Sequence, residues 1–568
     1  MNHMNFANPP RFLLTPLAAA LLLAALDARA DQAGVPNAGT ILQQVQPAVP
    51  AAPPSNRPAL QVQQPGTGEA PATVPFAIRS IRIVGNTDFP AATLHGLVAD
   101  AEGQTMTLAQ LQALAGRITD YYQRHGFPLS RAIIPAQKIV DGNVTIQVLE
   151  ARYGKVAVKN ASRVNDALLN ATVAPLQSGQ PIANRELDHA LLLLSDIPGM
   201  TVNAVLKPGT EVGTSDLDIV TGQGATTATT LTADNYGNHY IGRARAGASV
   251  DVFSPFHHGD VLGISAITTG DGMNYARLAW DTLLDGAGAG TRAGASYSYV
   301  RYKLGGDVSA LDAHGTAGVA SAWIKRPLLR TRTANAYVQI QYDDKRLRDR
   351  VDVTDTRTDR TLGNWVLTLN GDVRDDVLAG GVSVWNVAWT AGHIGFDDAA
   401  AGLADAASAR TRGGFSKWNA NGSRIQSLGG HDTLYLNAAA QWADSNLDSA
   451  EKMTVGGPYT VRAYDVGAVS SDTGVFASAE LRHDFGTTAA GRWQAAAFVE
   501  GAHVKINRRP WAATDNTASL SGAGLGLMWD GPNAWRANLS VATPIGAKPA
   551  QLASTSSVRA WFIASKSF

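Results

Sequence analysis

Toward the C-terminal end of the chain, Val455-Gly456-Gly457-Pro458-Tyr459-Thr460-Val461-Arg462-Ala463-Tyr464 sets one arginine among glycines, aromatics and a proline. Glycine and proline fix turns, so this composition describes an ordered loop rather than a spacer. A guanidinium held in such a loop can clamp a carboxylate through two parallel hydrogen bonds. The segments on either side alternate apolar and polar residues in the manner of membrane-spanning strands. That placement directs Arg462 into the lumen of a barrel.

Other groupings with chemical potential are weaker. There is no Gly-x-Ser-x-Gly elbow, no His-Glu-x-x-His helix and no Walker-type loop. Gly286-Ala287-Gly288-Ala289-Gly290 lacks dinucleotide spacing and reads as a turn. His257-His258-Gly259-Asp260 follows Pro255-Phe256 in a short interstrand turn and is a poor metal site. Asp343, Asp344 and Asp484 sit at strand ends as lumen or loop charges. The sequence predicts no enzyme, cofactor or metal centre.

The chain has 568 residues, enough for several units. Lys+Arg and Asp+Glu are both 47, so there is no basic excess and a nucleic-acid partner is not expected. Charged residues are only 17% and glycines number 56, a profile of strands and turns. With no cysteine, neither disulfides nor thiolate metal sites can form.

Arg11 precedes an apolar run from Phe12 to Leu26, and Ala28-Arg29-Ala30 supplies a small-x-small cleavage pattern. Residues 1–30 thus read as a secretory signal peptide. Residues 31–75 form a Pro-rich linker carrying one short helical island, Thr40 to Val45, with Thr40 as a candidate N-cap. An island that short needs a surface to dock on.

From Phe76 the order is strand, helix, helix, strand, strand. Helices are predicted near Ala91 to Ala101 and Thr107 to His125, and strands at Arg131 to Ile134 and Val144 to Leu149. A second unit follows: a strand from Tyr153 to Val158, helices at Ala161 to Ala174 and Asn184 to Leu194, and strands at Met200 to Leu206 and Asp216 to Val220. The units span residues 76–150 and 151–222. Arg131 to Ile134 and Met200 to Leu206 are candidate sheet edges, where an extended partner could add a strand.

Helical spacing disappears in residues 226–568. Ala336, Val338, Ile340 and Tyr342 share one face, opposite Tyr337, Gln339, Gln341 and Asp343. Val475, Ala477, Ala479 and Leu481 oppose Ser478, Glu480, Arg482 and Asp484. A water-soluble sandwich also alternates, but segments here approach ten residues, as tilted bilayer-crossing strands require. About sixteen such segments fit, giving a transmembrane antiparallel β-barrel preceded by two small α+β domains. The terminal Phe568 suits the last strand of an outer-membrane protein.

Leader, linker, paired modules and barrel together resemble the transporters of two-partner secretion (TpsB, the hemolysin-activator and filamentous-hemagglutinin transporter type), within the outer-membrane assembly-factor superfamily. The modules look like polypeptide-transport-associated (POTRA) domains. Gly456-Gly457-Pro458-Tyr459 with Val461-Arg462-Ala463-Tyr464 is similar to the family's sixth-extracellular-loop motif, Val-Arg-Gly-Tyr. Ala463 stands where glycine is usual, and glycine alone reaches positive φ freely.

The resemblance implies that Arg462 pairs with an acid in a Phe-x-Asp pattern on an inner barrel strand. Phe498-Val499-Glu500-Gly501 is the matching segment, with Glu500 in the acid's place. It also implies that the helix carrying Ile41, Leu42 and Val45 plugs the resting pore. The implied partners are an extended or unfolded exoprotein in the periplasm, outer-membrane lipid, and the barrel-assembly machinery that inserts the chain. Hemolysin, adhesin and contact-dependent inhibition toxin all remain open as the client. A barrel-assembly factor of the same superfamily, and less readily a passive porin, remain as alternatives.

Overall fold

The computed structural model describes residues 35–45, 59–62, 75–284, 290–511, 515–552 and 556–568. The expected leader, most of the Pro-rich linker and Gly286 to Ala289 lie outside these residues.

The first module begins with Ser80–Val84, which pairs in parallel with Asn143–Leu149; the latter pairs antiparallel with the edge strand Arg131–Ile133. Helices Ala91–Gly96 and Leu108–Arg124 pack on this sheet. Leu111, Leu114, Ile118 and Tyr122 recur at helical spacing and are buried against Val144, Ile146 and Val148. The longer helix starts at a capping box, in which the Gln110 amide donates to Thr107 Oγ1 and the Thr107 amide to Gln110 Oε1. It stops where Gly126 takes φ +92°.

The second module has Arg152–Ala161, helices Asp166–Val173 and Asn184–Ser195, then Met200–Pro208 and Thr214–Gln223. One expectation fails here: Ala161 to Ala174 is not helical throughout. Parallel pairing with Thr214–Gln223 carries the strand on to Ala161. Asn165 caps the helix from Leu168 N at 3.0 Å, so the helix starts only at Asp166. Met200–Pro208 is also not a free edge, because Ala59–Val62 pairs with it in parallel.

Residues 227–567 close into an antiparallel barrel of sixteen strands, hydrogen-bonded in sequence order from Thr227–Asp234 round to Arg559–Ser567. Closure satisfies every strand edge, as a sheet in lipid must. The outward face is apolar along the middle of the strands; Trp365, Leu367 and Leu369 are all exposed on Thr356–Asp375. An apolar belt of this kind is not the surface of a soluble domain. Strands range from 8 residues (Thr227–Asp234) to 20 (Thr356–Asp375). No described helix is long and apolar enough to cross a membrane.

The second module is bolted to the rim where the barrel begins. Arg330, the last residue of the barrel strand Ala313–Arg330, grips Asp196 with Nε–Oδ2 and Nη2–Oδ1 both at 2.6 Å. Arg332 reaches Asp188 at 2.6 Å, and His257 Nδ1 lies 2.6 Å from the Arg163 carbonyl. His257 is therefore a docking residue of the turn between Arg245–Phe253 and Val261–Thr268. At the end of the first module, Glu150 accepts from the Thr87 and Asp88 amides at 2.6 and 2.7 Å and from Tyr122 Oη at 2.8 Å. Arg152 of the second module ties on to this cluster by donating to Thr87 Oγ1 at 2.7 Å and Glu150 Oε2 at 3.2 Å.

Candidate functional site

The residues between Asp432–Ala443 and Thr473–Thr488 do not cap the barrel but fold into it. A small ribbon, Met453–Val455 with Val469–Ser471, forms the base of this loop. Gly456 and Gly457 have φ +99° and +107°, and a side chain at Gly456 would collide with Asp465 O and Ala468 Cβ. Only glycine turns the chain there. Val461, Ala463 and Tyr464 are buried, whereas Pro458 is partly exposed and Tyr459 stands out to stack edge-on with Tyr236.

Arg462 lies at the centre. Its Nε donates to Glu500 Oε1 at 2.5 Å and its amide to Glu500 Oε2 at 2.7 Å. Its Nη2 donates to Glu480 Oε2 at 2.9 Å, and Arg482 Nε donates to Glu480 Oε1 at 2.7 Å. The guanidinium lies flat on Phe498, 3.3 Å from the ring centroid. Strand register explains the arrangement: Glu480 pairs across from Phe498 and Ser478 from Glu500, so both acids flank the ring on the lumenal face. Both glutamates are nearly fully buried, and their charges balance two arginines. Glu480 is a partner that the motif did not name, although alternation had placed it on the polar face.

Ala463 does not adopt positive φ. Its methyl instead rests over Gly522, where an added Cβ would sit 2.6 Å from it. Gly524 likewise leaves room for the Phe498 ring. The methyl that replaces the usual glycine hydrogen is absorbed by a glycine on the wall.

Further anchors spread round the circumference. Glu451 accepts from Lys345 at 2.6 Å and Lys417 at 2.9 Å, and Asp448 pairs with Arg360 at 2.6 Å. On the opposite side Asp465 receives Arg243 at 2.7 Å and Arg559 at 2.8 Å. Nothing in the periodicity marked these loop acids, because a loop has no repeating face.

The second occupant is the helix Ala38–Val45. Asn37, not Thr40, is its cap: the Thr40 amide donates to Asn37 Oδ1 at 3.1 Å while the Asn37 amide donates to Thr40 Oγ1 at 2.9 Å. The asparagine carboxamide stands three residues ahead of Thr40, where an N-cap acceptor belongs. Asp349 from the wall accepts the Ala38 amide at 2.7 Å. Ile41, Leu42 and Val45 are buried against Met273, Tyr275, Val300, Tyr302 and Leu347. Gly39 presses on the loop, since a Cβ there would lie 2.3 Å from Ser449 Oγ and 2.5 Å from Ala450 N. Helix and loop thus pack as one unit. Phe568 follows the last strand at the rim, exposed, with its amide donating to Thr229 O at 2.9 Å.

Comparison with known proteins gives this arrangement a family. The model for "Haemolysin secretion/activation protein ShlB/FhaC/HecB" matches residues 213–529. The chain belongs to this family. The ShlB-type POTRA domain model matches residues 76–151. The heme/hemopexin transporter protein HuxB of Haemophilus influenzae (strain 86-028NP) is 24% identical over 85% of this chain and 86% of its own. The outer membrane transporter CdiB of Dickeya dadantii (strain 3937) is 23% identical over 80% of each. Among solved structures, CdiB from Escherichia coli has a TM-score of 0.70 at 20% identity, covering 90% of this chain and 94% of its own. BamA from Haemophilus ducreyi lacking POTRA domains 1–3 has a TM-score of 0.54 at 15% identity, covering 87% and 100%. Both structural likenesses show the shared fold.

The transporter is thus an outer-membrane protein of two-partner secretion, with POTRA modules in the periplasm. Its modules join the barrel at the start of Thr227–Asp234, which makes that rim periplasmic. The helix packs against strand ends at the far rim, such as Tyr302, Leu347 and Ala313, so it occupies the outer half of the bore.

Proposed function

We propose that the transporter takes an extended exoprotein at its periplasmic modules and passes it through the bore once the helix Ala38–Val45 leaves. The observation that carries this reading is the burial of Ile41, Leu42 and Val45 in the lumen beside a loop anchored through Arg462. A helix of eight residues is unstable alone in water, so it holds its shape only while docked. It is a removable seal, and its loss costs the barrel no strand pairing.

Arg131–Ile133 offers one open sheet edge, and Met200–Pro208 offers a second that the chain itself occupies. Backbone pairing at such edges makes modest sequence demands, which suits a long unfolded client. Residues 76–150 and 151–222 act as the receptor, and residues 226–568 as the conduit. Residues 1–30 serve as the leader that brings the chain to the periplasm. Phe568, at the end of the last strand, is the element by which the barrel-assembly machinery inserts the chain.

Two measurements test this. Deleting the gene leaves a specific large exoprotein in the periplasm, whereas a passive porin leaves exoprotein secretion untouched. Deleting residues 31–60 raises ion conductance in planar bilayers, and an unchanged conductance removes the sealing role.

A further inference from the structure

On the outer wall of the barrel, alternation turns Tyr297, Tyr299 and Arg301 of Arg292–Lys303 outward, while Val300 and Tyr302 face the lumenal helix. Two strands on, Tyr342, Asp344, Arg346 and Arg348 of Ala334–Val351 face outward in the same way, with Leu347 inward. Asp344 is thus a charge of the outer wall and not of the lumen. The strand between them, Ala313–Arg330, contributes only Thr316, Gly318 and Ala320 here. Large side chains on both flanks and small ones between them leave a groove of about 400 Å³. Register places Arg301 opposite Thr316 and Thr316 opposite Arg348; in the next outward-facing row Tyr299, Gly318 and Arg346 line up. Strand direction alternates from Thr227–Asp234, so these rows lie toward the cell exterior. Beneath them Tyr342 and Trp365, with ring centroids 5.0 Å apart, top the apolar belt of Ile340 and Leu367. Aromatic residues gather where a bilayer meets water, so the groove opens at the headgroup level of the outer leaflet.

The charges around it are unequally matched. Lys303 pairs with Asp312 at 2.7 Å, and Arg346 reaches Asp344 only at 3.5 Å. Asp359 stands opposite Arg348 in register but turns to Arg350, 2.9 Å away. Among the described residues, neither Arg301 nor Arg348 has an acid within ion-pair distance. Two interstrand steps separate them, about 10 Å between backbones, so both guanidiniums can close on one phosphate. Asp344 Oδ1, buried in the groove, has no hydrogen-bond partner among the described residues. We propose that this groove binds a phosphorylated glycolipid of the lipopolysaccharide class, with one phosphate between Arg301 and Arg348 and a sugar hydroxyl donating to Asp344. Tyr297 and Tyr299 flank the sugar, and the acyl chains run down the apolar belt below. The inference rests on the outer-membrane placement of the barrel and is independent of how an exoprotein passes through it.

Native mass spectrometry of the full-length protein in detergent tests this, with bisphosphorylated lipid A as the probe. Wild type retains one lipid A, and the double variant Arg301→Gln with Arg348→Gln needs about tenfold or more lipid for the same occupancy. Gly318→Leu keeps every charge, fills the groove and loses binding to the same degree. Arg357→Gln, on the same face but outside the groove, binds as wild type does. Lipid A stripped of its phosphates binds wild type no better than the intact lipid binds the double variant. Phosphatidylglycerol, which carries a phosphate but no sugar, displaces lipid A only in about tenfold excess. Inorganic phosphate leaves it in place.

Equal retention of lipid A by wild type and the double variant overturns the site. Full retention by Gly318→Leu overturns the groove as its seat. Displacement by equimolar phosphatidylglycerol overturns the sugar contact, and displacement by inorganic phosphate reduces the site to one for free anions. If the double variant loses its heat-modifiable barrel, Gly318→Leu and the dephosphorylated lipid decide the matter.

Discussion

At the scale of residues, Arg462 is held by a fork that only a guanidinium can make. It touches Glu500 twice, Glu480 once and the face of Phe498. Arg462→Ala leaves two buried carboxylates short of a partner, a loss on the order of 3–5 kcal/mol at that site. Exoprotein in the culture medium should fall sharply while heat-modifiable barrel persists on gels. Arg462→Lys keeps the charge but loses the planar fork and should rescue only in part. Secretion at wild-type level in Arg462→Ala would end any functional role for the clamp. Gly522→Leu should act like Arg462→Ala, because its side chain would occupy the space that the Ala463 methyl uses.

The motif made Arg462 and Glu500 legible, since it names one loop position and one wall position. Glu480 was visible only as a member of an alternating face; its role follows from register, which brings it opposite Phe498. Glu451, Asp448 and Asp465 were not legible. Their partners, Lys345, Lys417, Arg360, Arg243 and Arg559, come from strands or loops distant in sequence.

At the scale of elements, the tightest approach of the lumenal helix to the inward-folded loop is at Gly39. Gly39 is where helix and loop backbones meet, so Gly39→Val should prevent docking while leaving all barrel strands intact. Single-channel recordings should then show frequent opening without any deletion of the linker; a silent channel would show that the helix can seat elsewhere. Sequence periodicity found this helix but misjudged its start, because Thr40 and Asn37 are both good caps and only the fold chooses between them. The helix misread over Ala161 to Ala174 has the same origin. Propensity allowed it, and pairing with Thr214–Gln223 overrode it. The linker strand had no local signature, since four residues acquire their conformation from the edge they join.

At the scale of the molecule, two joints set the posture of the modules. At the first, burial opposes the Glu150 charge, but hydrogen bonds from the Asp88 and Thr87 amides, the Thr87 hydroxyl and Tyr122 outweigh it and hold the carboxyl below its usual pKa. Such a group stabilises the fold above its unfolded pKa, about 4.3, and that contribution is lost as pH falls through the lowered folded value. Neighbouring Asp88 is pushed up by burial and by Glu150, with Arg152 opposing, and offsets part of the effect. Hydrogen exchange at Thr87 and Asp88 should accelerate as pH drops below about 4 after correction for intrinsic rates, and Glu150→Gln should flatten that dependence. At the second joint, Asp196→Asn removes the charge that Arg330 grips. Scattering from detergent-solubilised protein should then report a broader distribution of module positions; an unchanged profile would show that the remaining contacts suffice.

Asp465 has a mechanical consequence. Arg559 lies on the last barrel strand, and Arg243 lies in the loop that joins the first strand to the second, so one carboxylate reaches across the line where the cylinder closes. Trp561 adds a bond from the last strand to the Arg462 carbonyl at 2.7 Å. Sideways tension from the bilayer that tries to part this line must first pull on the inward-folded loop. The loop acts as a tie-bar, and a barrel under load is as strong at its weakest joint as the seat of that loop allows.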